Sequence, residues 1–239
     1  MRLTDFSTLT FDCYGTLIDW ESGIWNALAP LARKAKLGRE AALEAFSGVE
    51  TDQERATPSL KYSSLLKTVH AELARTWGLD GKAAEHETFG ESVPDWPAFA
   101  DSAAALKYLK KHYKLVILSN VDRKSFAASN KKLGVTFDAI YTAEDIGSYK
   151  PDPRNFDYLL KHLKRDLGVS KDEILHTAQS LHHDHVPATK AGLSRAWIDR
   201  RWGKDGSGAT KAVARPPKVH FHFKSMADMV EAHRAEMGG

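Results

Sequence analysis

The residues able to do chemistry in this chain fall at four places. The first is Leu9-Thr10-Phe11-Asp12-Cys13-Tyr14-Gly15-Thr16-Leu17, where a β-prone run ends in a carboxylate and a glycine turn follows at once. An aspartate at the carboxyl end of a strand stands where open parallel sheets gather their ligands, and there it can act as a covalent nucleophile. A strand running into an Asx-type turn has the same pattern. The second place is Ser119-Asn120, after the apolar run Leu115-Val116-Ile117-Leu118. The third is Ser148-Tyr149-Lys150-Pro151-Asp152, and the fourth is Ala178-Gln179-Ser180-Leu181-His182-His183-Asp184. Together they supply one candidate nucleophile, two neutral hydrogen-bonding residues, one lysine and one further acid. Cys13 reads as a small buried residue, because its side chain alternates away from that of Asp12 along the strand. His182, His183 and His185 lie close together, but their spacing is no standard zinc pattern, and no metal is expected there.

The elements that must position these residues alternate. Residues 7–12 read as the first strand, buried on both faces. Residues 18 to about 93 then read as helical throughout: Trp20 to Leu28 with Pro30 expected to end or kink it, Arg39 to Phe46, Ser59 to Trp77, and Ala83 to Phe89. Val93-Pro94-Asp95-Trp96-Pro97 marks a boundary, since two close prolines disfavour regular structure. Beyond it come a helix at Ser102 to His112, a strand at Leu115 to Leu118, a helix at Arg123 to Leu133, a strand at Phe137 to Tyr141 and a helix at Pro153 to Leu167. A strand at Ile174 to Ala178, a helix from Asp184 to Ala191 and strands at Arg195 to Ile198 and Val219 to Phe223 follow, and Met226 to Glu236 closes the chain as a helix. Residues 201–218, rich in glycine and charge, read as a surface loop. This is an α/β pattern: a parallel sheet covered on both faces, with an all-helical insert placed over the carboxyl end of its first strand.

Composition narrows the classes of function. The chain has 239 residues, 42% hydrophobic and 27% charged, which suits a globular protein with room for a core and a smaller insert. A net charge of +3, with no long basic run, gives no support for nucleic-acid binding. No apolar run approaches a membrane span, and no apolar block near the amino terminus has signal-peptide length. The single cysteine rules out an internal disulfide and fits a reducing cytoplasm.

The order of these four segments, Asp-x-Tyr-Gly-Thr-Leu, Leu-Ser-Asn, Lys-Pro-Asp-Pro and a final Asp loop, resembles the haloacid dehalogenase superfamily. The likeness spans residues 7–15 and about 97–200, and the helical insert is similar to that family's cap. It implies a Rossmann-like core at 1–15 and 97–239 and a helical cap at 16–96. Within the superfamily, phosphatases carry an acid two residues after the nucleophile, to protonate the leaving alcohol; here that residue is Tyr14. A departing halide needs no proton, whereas an alkoxide does. Phosphatases also hold Mg²⁺ with acids in the fourth segment, where this chain has Ala178-Gln179-Ser180; fewer carboxylates favour a hard cation less. Both departures point to the branch that resembles (S)-2-haloacid dehalogenases.

That resemblance implies attack by Asp12 on the halogen-bearing carbon of a short 2-haloacid, an ester intermediate, and hydrolysis to a 2-hydroxy acid without metal or cofactor. Lys150 would hold Asp12 charged and oriented, Thr16 would hydrogen-bond it, and Asp184 would orient Lys150 or help to activate water. Ser119 and Asn120 would bind the substrate carboxylate or the leaving halide, Tyr14 would meet the substrate, and Arg55 is the candidate for the cap arginine that the family uses to grip substrate and halide; His183, by its place next to Asp184, is a candidate to contact substrate or water. Two family positions differ: Phe156 stands where a tyrosine is usual and Leu181 where an asparagine is. Trp20, Trp25, Trp77 and Trp96 could line an apolar halide pocket or simply pack the cap. A homodimer is the expectation by family analogy. The alternatives are a Mg²⁺ phosphatase of a small metabolite and a catalytically weak protein that binds an anion.

Overall fold

The computed structural model describes residues 1–203 and 208–238. In chain order the elements are β1 (Thr8–Phe11), α1 (Trp20–Lys34), α2 (Arg39–Ala56), α3 (Tyr62–Thr76), α4 (Ala83–Gly90), α5 (Ser102–Leu109), β2 (Lys114–Ser119), α6 (Arg123–Leu133), β3 (Ala139–Thr142) and α7 (Ala143–Ile146). They continue with α8 (Arg154–Leu167), β4 (Ile174–Ala178), α9 (Val186–Lys190), β5 (Ser194–Ile198), β6 (Phe221–Phe223) and α10 (Met226–Gly238). The strands form one parallel sheet in the order β3-β2-β1-β4-β5-β6. The order reverses at β1, which pairs with β2 on one side and β4 on the other. Such a reversal opens a crevice beyond the carboxyl ends of the strands. All four β1 residues are buried, as a strand covered on both faces requires.

Helices α1–α4 form the insertion between β1 and α5. Two strands of irregular chain join it to the sheet: Ile18 bridges Ala98, the Phe99 N–H donates to the Leu17 carbonyl, and the Asp19 N–H donates to the Pro97 carbonyl. Apolar residues at helical spacing bury one stripe of each helix, including Ile24 and Leu28 of α1, Leu43 and Phe46 of α2, and Leu65, Val69 and Leu73 of α3.

Pro30, expected to end or kink its helix, lies inside α1, which runs on to Lys34. Two expectations are corrected. The helix beginning at Arg39 runs through to Ala56, ten residues past the last apolar residue, Phe46, that marked it. Residues 181–185 form a π-turn (Leu181–His185) that leads into α9. Of the loop expected at 201–218, residues 204–207 lie outside the described residues, and the rest carries no regular element.

Candidate active site

Asp12 follows the last residue of β1, and its N–H donates to the Thr177 carbonyl at 3.1 Å, which carries the pairing with β4 one step further. The chain then turns sharply. Gly15 has φ +94°, a conformation that favours glycine, and the N–H groups of Leu17 and Ile18 both donate to the Cys13 carbonyl. That turn brings Thr16 back over Asp12, where its hydroxyl donates to Asp12 Oδ2 at 2.6 Å. The Gln179 N–H donates to the same hydroxyl oxygen at 2.9 Å, and the Arg200 guanidinium grips the Thr16 carbonyl. Residues from the first and fourth segments are thereby locked together.

Lys150 is 1% exposed, and its ammonium donates to Asp12 Oδ1 at 2.9 Å, Asp184 Oδ1 at 2.7 Å and the Leu118 carbonyl at 3.1 Å. An ammonium has three donors, so none is left for a ligand. Burial alone would pull this lysine down, but the two carboxylates beside it carry it well above its ordinary value. Burial would likewise raise Asp184, and the charge of Lys150 with the hydrogen bond from His176 holds it well below the usual range. Asp12 goes the other way: burial pushes it up, Lys150 and Thr16 oppose that, and the charge of Asp184 reinforces it. One cation shared by two carboxylates thus favours Asp184 over Asp12.

His176 was not singled out by the sequence. It lies inside β4, its Nε2 3.0 Å from Asp184 Oδ1 and its Nδ1 2.9 Å from the Thr10 hydroxyl. With Asp184 ionised, Nε2–H donates to the carboxylate and Nδ1 accepts from Thr10. A histidine amid the apolar residues of a buried strand is the one trace that sequence carries of this role. Asp184 Oδ2 is buried and has no protein partner.

The expected substrate contacts separate. Asn120 lines the cavity over Asp12, yet both hydrogens of its amide are used, on the Lys150 carbonyl and on Glu54 Oε1, while its Oδ1 accepts from the Lys150 N–H at 2.7 Å. Its side chain therefore ties the backbone at Lys150 to Glu54 of the insertion. The Tyr14 ring lines the cavity, but its hydroxyl pairs with Ser129 at 2.8 Å, and burial pushes that phenol well above its ordinary value. Ser119 Oγ is buried and unpartnered. His183 is on the cavity wall; its Nε2 is unpartnered, and burial pulls the ring down to about 3, so it is neutral. Of the four tryptophans, Trp20 reaches the cavity, and Trp96 stands behind Tyr14 and Tyr62, edge-on to both.

Arg55 is outside. It sits in the last turn of α2, its side chain 69% exposed and 3.6 Å from Asp52. The helix turns Glu50 and Glu54 inward instead, 3% and 6% exposed, and both line the cavity with Asp12. Sequence reading missed them because α2 had been followed only as far as its apolar residues. Three residues separate them, so they share one helical face. Among the described residues, no group of three histidine, cysteine or acidic side chains is arranged to hold a metal ion, and the gap between Asp12 and Asp184 is taken by the Lys150 ammonium.

A parallel sheet with a helical insertion after β1 thus carries a buried Asp–Lys–Asp chain at its switch point. The family model for haloacid dehalogenase-like hydrolases matches residues 6–177, and the chain belongs to that family. It is 27% identical over 198 residues to (S)-2-haloacid dehalogenase 4A of Burkholderia cepacia, covering 80% of this chain and 82% of that one. It is also 27% identical over 209 residues to the (S)-2-haloacid dehalogenase of Pseudomonas putida, covering 82% and 85%. The solved L-2-haloacid dehalogenase of Xanthobacter autotrophicus superposes with a TM-score of 0.78 over 96% of this chain and 98% of that one, at 19% identity. That protein has also been solved with chloropropionic acid covalently bound.

Proposed function

We propose that the protein hydrolyses short 2-haloacids to 2-hydroxy acids through an ester on Asp12. The observation that carries this reading is the Asp12 carboxylate, held by Thr16 and Lys150 with no acid two residues further on, since Tyr14 stands there with its hydroxyl bound to Ser129. Such a group can form a bond to carbon, but Tyr14 offers a leaving alkoxide no ready proton. Lys150 and Thr16 orient the attacking carboxylate. The unpartnered Ser119 hydroxyl is the candidate contact for the substrate carboxylate. In the second step a water lies against Asp184 Oδ2, a buried acceptor without a protein partner, and attacks the Asp12 ester carbonyl.

Residues 16–96 act as a cap in this reading. Trp20 of α1, Glu50 and Glu54 of α2 and Tyr62 of α3 line the cavity over Asp12, whose volume is about 30 Å³. The single buried cysteine fits a reducing cytoplasm.

The test is halide release from 2-chloropropionate with EDTA present. Wild-type protein should release chloride, and Asp12→Asn should lower the rate by at least about a thousandfold, as expected when a nucleophile is removed. Mass spectrometry of wild-type protein quenched during turnover should find the mass of a 1-carboxyethyl group, ester-linked, on the Asp12 peptide. Chloride release that persists in Asp12→Asn sinks the proposal. Metal-dependent phosphate release in place of chloride would establish the phosphatase alternative.

A further inference from the structure

Glu50 and Glu54 lie across the cavity from Asp12, and neither pairs with a cation. Lys150 is the one cation lining that cavity among the described residues, and its hydrogen bonds are all spent elsewhere. Neutral donors hold one oxygen of each glutamate: the Tyr62 hydroxyl donates to Glu50 Oε1 at 2.6 Å, and the Asn120 amide donates to Glu54 Oε1 at 3.0 Å. The other Glu54 oxygen is 3.7 Å from His183 Nε2, too far for a hydrogen bond. His183 Nε2 is itself buried and unpartnered. Two polar groups facing each other across a gap without partners mark a place for a ligand atom.

Displacement at carbon fixes which atom that is. Asp12 attacks from the sheet, so the halide departs on the opposite side, towards α2. Between two carboxylates a halide would be repelled; between two carboxylic acids it meets donors. We propose that Glu50 and Glu54 are uncharged in the working enzyme and form the wall that receives the halide, donating hydrogen bonds to it as it leaves. This rests on the reading of Asp12 as the group that displaces halide. An Asp12 oxygen forms a bond to C2 of the substrate, the carbon–halogen bond breaks with both electrons leaving on the halide, and the carboxyl protons stay on the glutamates.

The surroundings agree. Burial pushes Glu50 up to about 7, and burial together with the charge of Glu50 pushes Glu54 well above its ordinary value. Lys150 is the cation that opposes this at Glu54. The other groups facing the pair are displaced away from the neutral range. From α3 and the segment before Lys150, Tyr62 and Tyr149 are pushed up by burial. From the loop after β4, His183 is pulled down by burial and Asp184 is held down by Lys150. From the end of β1 comes Asp12, whose ionisation sets the acid side of the profile.

The experiment is chloride and bromide release from 2-chloropropionate and 2-bromopropionate between pH 5.5 and 9.5. Wild-type kcat/KM should fall by about tenfold per pH unit once the pair begins to ionise. The double variant Glu50→Gln, Glu54→Gln keeps two neutral donors that cannot ionise; its rate at pH 6 is lower, and its alkaline fall is gone. Glu54→Ala should lose roughly tenfold or more for chloride and less for bromide, the better leaving group. Circular dichroism shows which variants are folded, and the near-isosteric glutamine pair carries the test if the alanine variant is not. An alkaline fall unchanged in the glutamine pair, or an unchanged chloride-to-bromide ratio in a folded Glu54→Ala, overturns the proposal while leaving Asp12 as nucleophile. Absence of halide release by the wild type overturns the dehalogenase reading itself.

Discussion

Lys150 spends all three of its donors inside the protein, and that defines its work. It does not reach for substrate; it keeps two buried carboxylates in one place and biases which of them is the stronger base. Asp184, with two donors on one oxygen, is the anchored partner. Asp12 also accepts two hydrogen bonds, from Lys150 and Thr16, but burial and the charge of Asp184 raise it, which leaves it the stronger base of the two. Removing the ammonium as Lys150→Met would leave Asp12 and Asp184 buried without a cation. The expected cost is about 3–5 kcal/mol, the usual penalty for breaking a buried pair from one side, together with loss of turnover. The sign with pH follows. Without Lys150 both carboxyls titrate above their unfolded values, so their contribution is present at low pH and lost as pH rises through them. Thermal melts should therefore show Lys150→Met closer to wild type at pH 5 than at pH 8. A deficit that does not change between those pH values would refute the account.

At the scale of elements, α2 and the approach to α5 decide the shape of the site. α2 needs its full length, because Glu50 and Glu54 lie beyond the apolar residues that bury its first half. The Trp96 ring fixes how α1 sits, since it fills the space beside Gly23: a Cβ on that glycine would lie 2.2 Å from Trp96 Cγ. Trp96 in turn stands edge-on to Tyr14 and Tyr62 at 5.6 and 6.4 Å between ring centres, so α1, the cavity wall and the β1 loop share one aromatic contact. Gly23→Ala must push the indole or the helix aside. It should destabilise the protein by about 1–3 kcal/mol, the range for overpacking a tight contact, which a urea titration reads directly. Unchanged stability would mean that the helix and the ring part without cost.

Over the whole molecule the buried histidines set a limit on acid stability. Burial pulls His70 and His185 down to about 4 and His183 to about 3, from an ordinary value near 6.5. A depressed folded value gives stability that is present above about 6.5 and lost as pH falls towards the folded values. For His185, which is almost wholly buried with its Nε2 2.9 Å from the Ala178 carbonyl, the loss is of the order of 3 kcal/mol. Glu50 acts in the opposite sense, losing its contribution as pH rises from about 4.5 to about 7. The urea midpoint should be lower at pH 4.5 than at pH 7, and His185→Gln, which keeps a donor for the Ala178 carbonyl, should narrow that difference. An undiminished difference in the variant would place the acid sensitivity elsewhere.

The sequence alone carried the alternation of elements, the helical insertion after the first strand, and Asp12, Lys150, Thr16 and Asp184 as a set. Those features are local: apolar spacing, glycine and proline punctuation, and short motifs at strand ends are written in neighbouring residues. The sequence also separated Tyr14 from the acid of a phosphatase, which is a matter of residue type. Three things depended on the fold. Arg55 and Glu54 are adjacent in sequence, and only the rotation of α2 sends one to solvent and the other over Asp12. His176 reaches Asp184 because β4 and the π-turn after it fold back on one another. The donors of Asn120 are consumed by Lys150 and Glu54, which lie 30 residues after it and 66 before it. Side-chain direction on a helix and pairing between distant loops come from packing, and no spacing along the chain records them.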